Sequence, residues 1–165
     1  MGFYGTLVAS ETYHTGQGNT AWAAATDAAK NIALLRGSEW IDRSFKSSFP
    51  GWKTEARDQI REWPRSPAMD VEGNAIDSDT VPTEVIESSY EAALRELATP
   101  GQLSPDYDPA KQLKRSRVGE IDVTNTAGHG PESVRKTIMI IEGIIAPVLT
   151  GSGATSNLGG RVVRV

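Results

Sequence analysis

The sequence predicts a mainly α fold: a small helical bundle with a short β-hairpin and minor strands, followed by an extended C-terminal arm. Three stretches carry the prediction. Thr26 is a candidate N-cap with Asp27 placed to meet the helix dipole, and a helix should run from there to about Phe45. After Pro82, the residues Ile86, Tyr90, Ala93, Leu94 and Leu97 follow an i, i+4, i+7, i+8, i+11 pattern, the cleanest amphipathic helix in the chain. From Pro131 onward, Val134, Ile138, Ile141, Ile145 and Val148 form a seam widened by Met139, Ile140, Ile144 and Leu149. Residues 1–150 read as one helical domain, and residues 151–165 as a flexible glycine-rich linker with a strand-like arm.

In chain order, Tyr4 to Ala9 reads as a short strand and Tyr13 to Asn19 as a loop carrying Gly16 and Gly18. Thr20 is a cap for a short turn containing Trp22. In the long helix, Ala28, Ile32 and Leu35 share one face, with Leu34, Ile41 and Phe45 about a third of a turn round. So wide an apolar arc predicts a central helix. A loop through Pro50-Gly51 leads to a short helix over Glu55 to Glu62, stopped at Trp63-Pro64 because a residue before proline avoids the α region. Trp22, Trp40 and Trp63, with Pro64 and Arg65, are the predicted structural core, since large rings bury the most area and fix how helices cross. Trp52 falls in the loop between them.

Met69, Val71 and Ile76 flank a Gly-Asn pair and predict a small hairpin. Pro82 suits a first helical turn, with Glu84 and Glu87 favourable behind it, and Pro100-Gly101 ends that helix. Gln102 to Ala110 reads as irregular. Val118, Ile121 and Val123 alternate with Glu120 and Asp122 as a half-exposed strand between Arg117 and Thr124, and a glycine-flanked loop follows. The run Ile138 to Leu149 is short of the about 20 apolar residues a bilayer needs. Core or subunit interface is the expectation there, with Pro147 kinking or ending the helix.

Composition narrows the function classes. Hydrophobic residues make up 38% of 165, and 16 glycines and 9 prolines point to long irregular stretches. The net charge of -4 argues against nucleic-acid binding as the main energetic event. With no cysteine, disulfides and thiolate metal sites are excluded. The opening Met-Gly-Phe-Tyr-Gly lacks the basic and apolar regions of a signal peptide, so a cytoplasmic setting, or a particle assembled there, is expected.

Catalytic and cofactor chemistry finds no foothold. His14 and His129 read as loop histidines without partners for a metal or catalytic role. Gly151-x-Gly153 opens like a dinucleotide fingerprint but has Ser156 where glycine is needed, and no strand before it. Glu39, Asp42 and Glu62 read as salt-bridge partners of Arg36, Arg43 or Arg65 before acid–base residues. No enzyme, no cofactor and no metal are expected. Lys111, Lys114, Arg115 and Arg117 place four cations in seven positions, read first as a solvated edge and second as a phosphate or acidic-partner contact. Arg161, Val162, Val163, Arg164 and Val165 read either as a disordered end or as an arm that adds a strand to a partner.

An ordered series of segments resembles one family. It runs through Tyr4 to Tyr13, Asn19-Thr20-Ala21-Trp22, Ala33 to Asp42, Gln59, Trp63-Pro64-Arg65, Asp70-Val71-Glu72-Gly73, Val81-Pro82 and Val118-Gly119-Glu120-Ile121. Over residues 4 to 125 the chain resembles the tailed-phage head-to-tail connectors, or portal adaptors, whose members are often labelled DnaT-like single-stranded DNA-binding proteins. The resemblance implies a structural virion protein in the phage neck, assembled in the host cytoplasm. Its partners would be a portal protein, a downstream neck or tail-completion protein, and itself in a ring, typically of twelve copies. Double-stranded DNA would pass through the channel without specific binding, and no membrane would be involved. Arg161 to Val165 would then engage the portal or a neck protein. The alternative is the label itself, a single-stranded DNA-binding replication protein, which would want basic residues interleaved with exposed aromatics.

Overall fold

Helices α1 (Leu7–Gly16), α2 (Thr20–Ala24), α3 (Asp27–Phe45), α4 (Thr83–Ala98) and α5 (Met139–Ile145) build the computed structural model of the chain. Short strands pair as β1 (Trp52–Lys53) with β2 (Arg65–Ser66), β3 (Ala68–Met69) with β4 (Ala75–Ile76), and β5 (Ser116–Val118) with β6 (Ile121–Val123), all antiparallel. The structure describes residues 2–106, 116–118, 121–123 and 138–150. The mainly α class is as the sequence predicts.

The most extensive interface lies between α3 and α4. It centres on Gly37, where an added Cβ would lie 2.7 Å from both the Ala93 nitrogen and the Ser89 carbonyl oxygen. Only a residue without a side chain lets two helix backbones approach this closely. Around it, Leu34, Ile41, Val85, Ala92 and Ala93 are fully buried. Helix α3 begins where expected, with the Thr26 hydroxyl accepting from Ala29 N–H at 3.3 Å, and ends at Phe45. Its apolar arc is narrower in use than the sequence implies. Because α4 covers the Gly37 side, Ala28, Ile32 and Leu35 face solvent, with Ile32 55% exposed.

The N-terminal expectation of a strand is corrected. Thr6 accepts from Ala9 N–H at 3.1 Å and caps α1 instead, so Leu7 and Val8 form a first helical turn and Tyr13 to Gly16 its last. Asn19, not Thr20, occupies the N-cap of α2. Before α1, Tyr4 N–H donates to Ser38 Oγ at 3.0 Å, and Tyr90 OH accepts from Thr6 N–H at 3.2 Å, tying this end across both long helices.

The expected helix over Glu55 to Glu62 does not form. Ala56 sits at φ 49°, the left-handed region that interrupts a helix of L-residues. Gln59 takes over the bonds a helix would have made. Its Oε1 accepts from Glu55 N–H at 3.2 Å and Thr54 Oγ1 at 3.1 Å, while its Nε2 donates to the carbonyls of Arg61 and Pro64, both at 2.9 Å.

The hairpin predicted at Met69 to Ile76 is present, its turn closed by Asp70, whose carboxylate accepts from the N–H groups of Glu72 and Asn74. Pro82 is the N-cap of α4 and not part of its first turn. Past α4, the Glu96 carboxylate accepts from Gly101 N–H at 2.7 Å and Leu103 N–H at 3.2 Å, and Trp40 Nε1 donates to Leu103 O at 2.9 Å. The single strand expected from Arg117 to Thr124 is two strands, with Val118 opposite Ile121. Ile141, Ile145 and Val148 of the predicted seam are buried, and α5 gives way to a 3-10 turn, Ala146–Val148, at Pro147. That turn is tied to the hairpin by Val71 N–H donating to Pro147 O at 2.8 Å. The predicted start of the helix at Pro131 lies outside the described residues.

Candidate nucleic-acid interface

Between the end of α3 and β2 the chain builds an anchored floor. Arg65, 7% exposed, donates from Nε to Pro50 O and from Nη2 to Gly51 O, both at 2.7 Å, and from Nη1 to Glu62 Oε2 at 2.9 Å. Its guanidinium lies 6.0 Å from the Phe49 ring centre, and Phe49 meets the Trp63 ring edge-on at 5.6 Å. A planar fork serving two backbone carbonyls and a carboxylate is a role lysine cannot copy. Gly51, at φ 62°, passes so close to Pro67 O that a Cβ would overlap it at 2.0 Å. The Pro50-Gly51 turn is thereby fixed, and with it β1.

A second network fastens the same floor to α3. Asp42 accepts from the Tyr4 hydroxyl and, at 3.2 Å, from Arg61 Nη1. Tyr4 OH in turn accepts from Trp63 N–H at 3.2 Å, and Arg61 Nε donates to Gly2 O. Burial pushes the Asp42 carboxyl above its ordinary value, against the lowering effect of its bonds to Tyr4 and Arg61. Burial and the Asp42 charge push the Tyr4 phenol far above its own. Both are fixed structural groups.

The same segment also leaves large apolar side chains and several cations exposed. Trp52 on β1 is 77% exposed and Ile60 is 79% exposed, unusual for residues this apolar beside so well tied a backbone. Residues 43–66 carry six Lys and Arg against three Asp and Glu, in a chain whose net charge is -4. Lys53 and Arg65 share Glu62, and Arg61 serves Asp42 and, at 3.8 Å, Glu39. Arg43, Lys46 and Arg57 have no ion-pair partner among the described residues. Arg43, Lys46, Ile60 and Arg61 line an open groove of about 290 Å³ together with three acids, Glu39, Asp42 and Glu62. Free cations, an apolar contact and a presented indole suit a strand of phosphates with unpaired bases.

The residues singled out in the sequence fall in several places. Trp22, Trp40 and Trp63 are 1%, 5% and 2% exposed, Arg65 joins them, and Pro64 is half-buried. Glu62 pairs with Arg65, whereas Glu39 and Asp42 pair with Arg61 and not with Arg36 or Arg43. His14 is not a loop residue but is fully buried in α1, 4.2 Å from the Trp22 ring, where burial lowers its pKa. Lys111, Lys114, Arg115, His129 and Arg161 to Val165 lie outside the described residues, and Arg117 is placed by backbone alone, opposite Asp122. No group of three or more metal-ligating side chains occurs among the described residues, and no helix there is long and apolar enough to cross a membrane. Sequence reasoning missed Trp52, Arg57 and Ile60. The available signal was Pro50-Gly51-Trp52-Lys53, a tryptophan directly after a turn pair, within a segment carrying six Lys and Arg.

A model of the family described as "Putative DnaT-like ssDNA binding protein" matches residues 4–165. No curated protein matches, and no solved structure does. The match overturns the expectation of a virion head-to-tail connector in favour of the reading placed second to it. The physical reason is that the resembling segments are largely core-builders such as Trp22, Trp40, Trp63 and Arg65, which report a fold and not what its surface holds. The net charge of -4 is a whole-chain total, which averages away the excess of cations in residues 43–66.

Proposed function

The chain belongs to the DnaT-like ssDNA-binding family, and from that premise we propose that it binds single-stranded DNA through the surface of residues 43–66. The observation that carries the reading is Trp52, an indole held out on a strand whose turn is locked by Arg65. A rigid, solvent-facing ring is a stacking platform for an unpaired base, and stacking tolerates any base because each has a π face. Arg43, Lys46 and Arg57 supply phosphate contacts, none of them having an ion-pair partner to leave among the described residues. A duplex, with its bases already stacked, offers Trp52 no face, so single strands are preferred. The overall negative charge keeps binding modest and salt-sensitive.

Fluorescence anisotropy with a labelled oligothymidylate tests this. Trp52→Ala should weaken binding about 5- to 150-fold, the equivalent of about 1–3 kcal/mol for one stacked base, while the fold stays intact. Tryptophan emission should also be quenched on binding, and this quenching should vanish in the variant. Unchanged affinity in Trp52→Ala, or no binding at about 50 mM salt, overturns the proposal.

A further inference from the structure

We propose that the bound strand follows one track along the outer side of α3, running from the Ile60 groove past Glu39 to Arg36. The inference rests on the single-stranded DNA reading and adds the path. A second groove of about 180 Å³ opens on α3, with Arg36, Arg43, Gly101 and Ser104 in its lining and Trp40 at its base. It shares Glu39 and Arg43 with the first groove, so the two lie side by side on α3. Its far wall is firm, because the Glu96 carboxylate and the Trp40 indole hold Gly101 and Leu103 in place.

The cations lie in file. Arg36 and Arg43 are seven residues apart, two turns of helix, and Lys46 follows one turn later. At about 1.5 Å per residue, Arg36 to Lys46 spans about 15 Å, the length of about four stacked nucleotides at about 3.4 Å each. Arg43 and Lys46 have no internal ion pair among the described residues. Arg36 reaches Glu96 only at 3.9 Å, and Glu96 is already served by two backbone N–H groups, so a phosphate can recruit the guanidinium at little loss. Glu39 interrupts the file. Its side chain is half-exposed and faces both grooves, so it repels a phosphate in the middle of the track and weakens the site.

The salt dependence of oligothymidylate binding reads the path directly. Each phosphate contact contributes about 0.7 to the slope of log affinity against log salt for single strands. Arg36→Gln, Arg43→Gln and Lys46→Gln should each lower the slope by about 0.7, whereas Trp52→Ala should lower affinity at unchanged slope. Glu39→Gln should tighten binding about 2- to 5-fold at low salt, the size of one removed exposed charge contact. Circular dichroism confirms that each variant keeps its helices. If the wild type binds and Trp52→Ala weakens it, but Arg36→Gln keeps the full slope and Glu39→Gln is silent, the track is wrong and the single-stranded DNA reading stands. If the wild type does not bind, both fall.

Discussion

Trp63 and Trp52 stand eleven residues apart in one segment and have opposite fates: one is 2% exposed, the other 77%. Around Trp63 the side chains of Arg65, Gln59, Tyr4, Asp42 and Arg61 are all engaged, although the buried Trp63 Nε1 itself has no hydrogen-bond partner among the described residues. Arg65 holds two carbonyls, Gln59 stitches a turn, and Tyr4, Asp42 and Arg61 bolt the segment to α3. Trp52 itself is unpacked, and elsewhere in the same segment Ile60 is exposed and Arg57 has no ion-pair partner among the described residues. The difference teaches that the proposed stacking ring sits on a backbone already held by Arg65 and Gln59. A base-stacking ring on a loose loop would have to be ordered at each binding event, at about 1–2 kcal/mol per residue of backbone. Here that ordering is done at folding.

The comparison breaks most sharply on the tryptophans themselves. Trp63→Ala should cost about 3–5 kcal/mol of stability, because it empties a fully buried site against Phe49. Trp52→Ala should change stability by less than about 0.5 kcal/mol. Chemical denaturation of the two variants side by side measures both. A loss below about 1 kcal/mol for Trp63→Ala would mean the floor is held by its hydrogen bonds and not by packing.

The two nearby arginines sharpen the contrast at smaller magnitude. Arg65→Lys keeps the charge but loses the fork that spans Pro50 O and Gly51 O, and should cost about 1.5–3 kcal/mol. Arg57→Ala removes a side chain with no internal ion pair and should be neutral to within about 0.5 kcal/mol. Thermal melts distinguish them, and equal shifts would erase the division between floor and surface.

The smallest effect is a pH dependence confined to buried groups. Burial holds His14 below its ordinary value of 6.5, so its contribution is present above that value and is lost as pH falls through the lower folded-state value. Stability should therefore decline in mild acid, and His14→Gln should flatten the decline. Asp42 works oppositely. Its carboxyl is raised above 3.8, so its contribution is present in strong acid and lost as pH rises through the folded-state value. Melts at stepped pH check both signs, and a decline unaltered in His14→Gln would move the cause elsewhere.

Much of the scaffold was legible. Thr26 with Asp27 marked the start of α3, spacing marked α4, and Gly-Asn between apolar residues marked the hairpin, because each is a local signal acting within a few residues. The first helix was not, because Leu7 and Val8 resemble strand content until Thr6 is known to cap. The segment over Glu55 to Glu62 was misread because Gln59, an ordinary helix former, spends its amide on four backbone and side-chain partners. The candidate site was the least legible part. Indoles bury by default on size alone, and nothing local separates Trp52 from Trp63. What separates them is whether α3, α4 and α5 cover the ring, a property of distant chain.

Gly37 has a consequence for how this protein can change over generations. Every amino-acid replacement there adds at least a methyl group, and that methyl would strike the backbone of Ser89 and Ala93, which no rotamer can move aside. The inner side of α3 is closed to drift at that point. One residue earlier, the Arg36 side chain is half-exposed, and Glu39 and Arg43 farther along the helix are exposed too. A descendant of this chain could therefore exchange those three side chains at the loss of only the long Arg36–Glu96 and Glu39–Arg61 ion pairs, without touching the backbone contact beneath. The line between what is open to selection and what is forbidden to it runs between two consecutive codons.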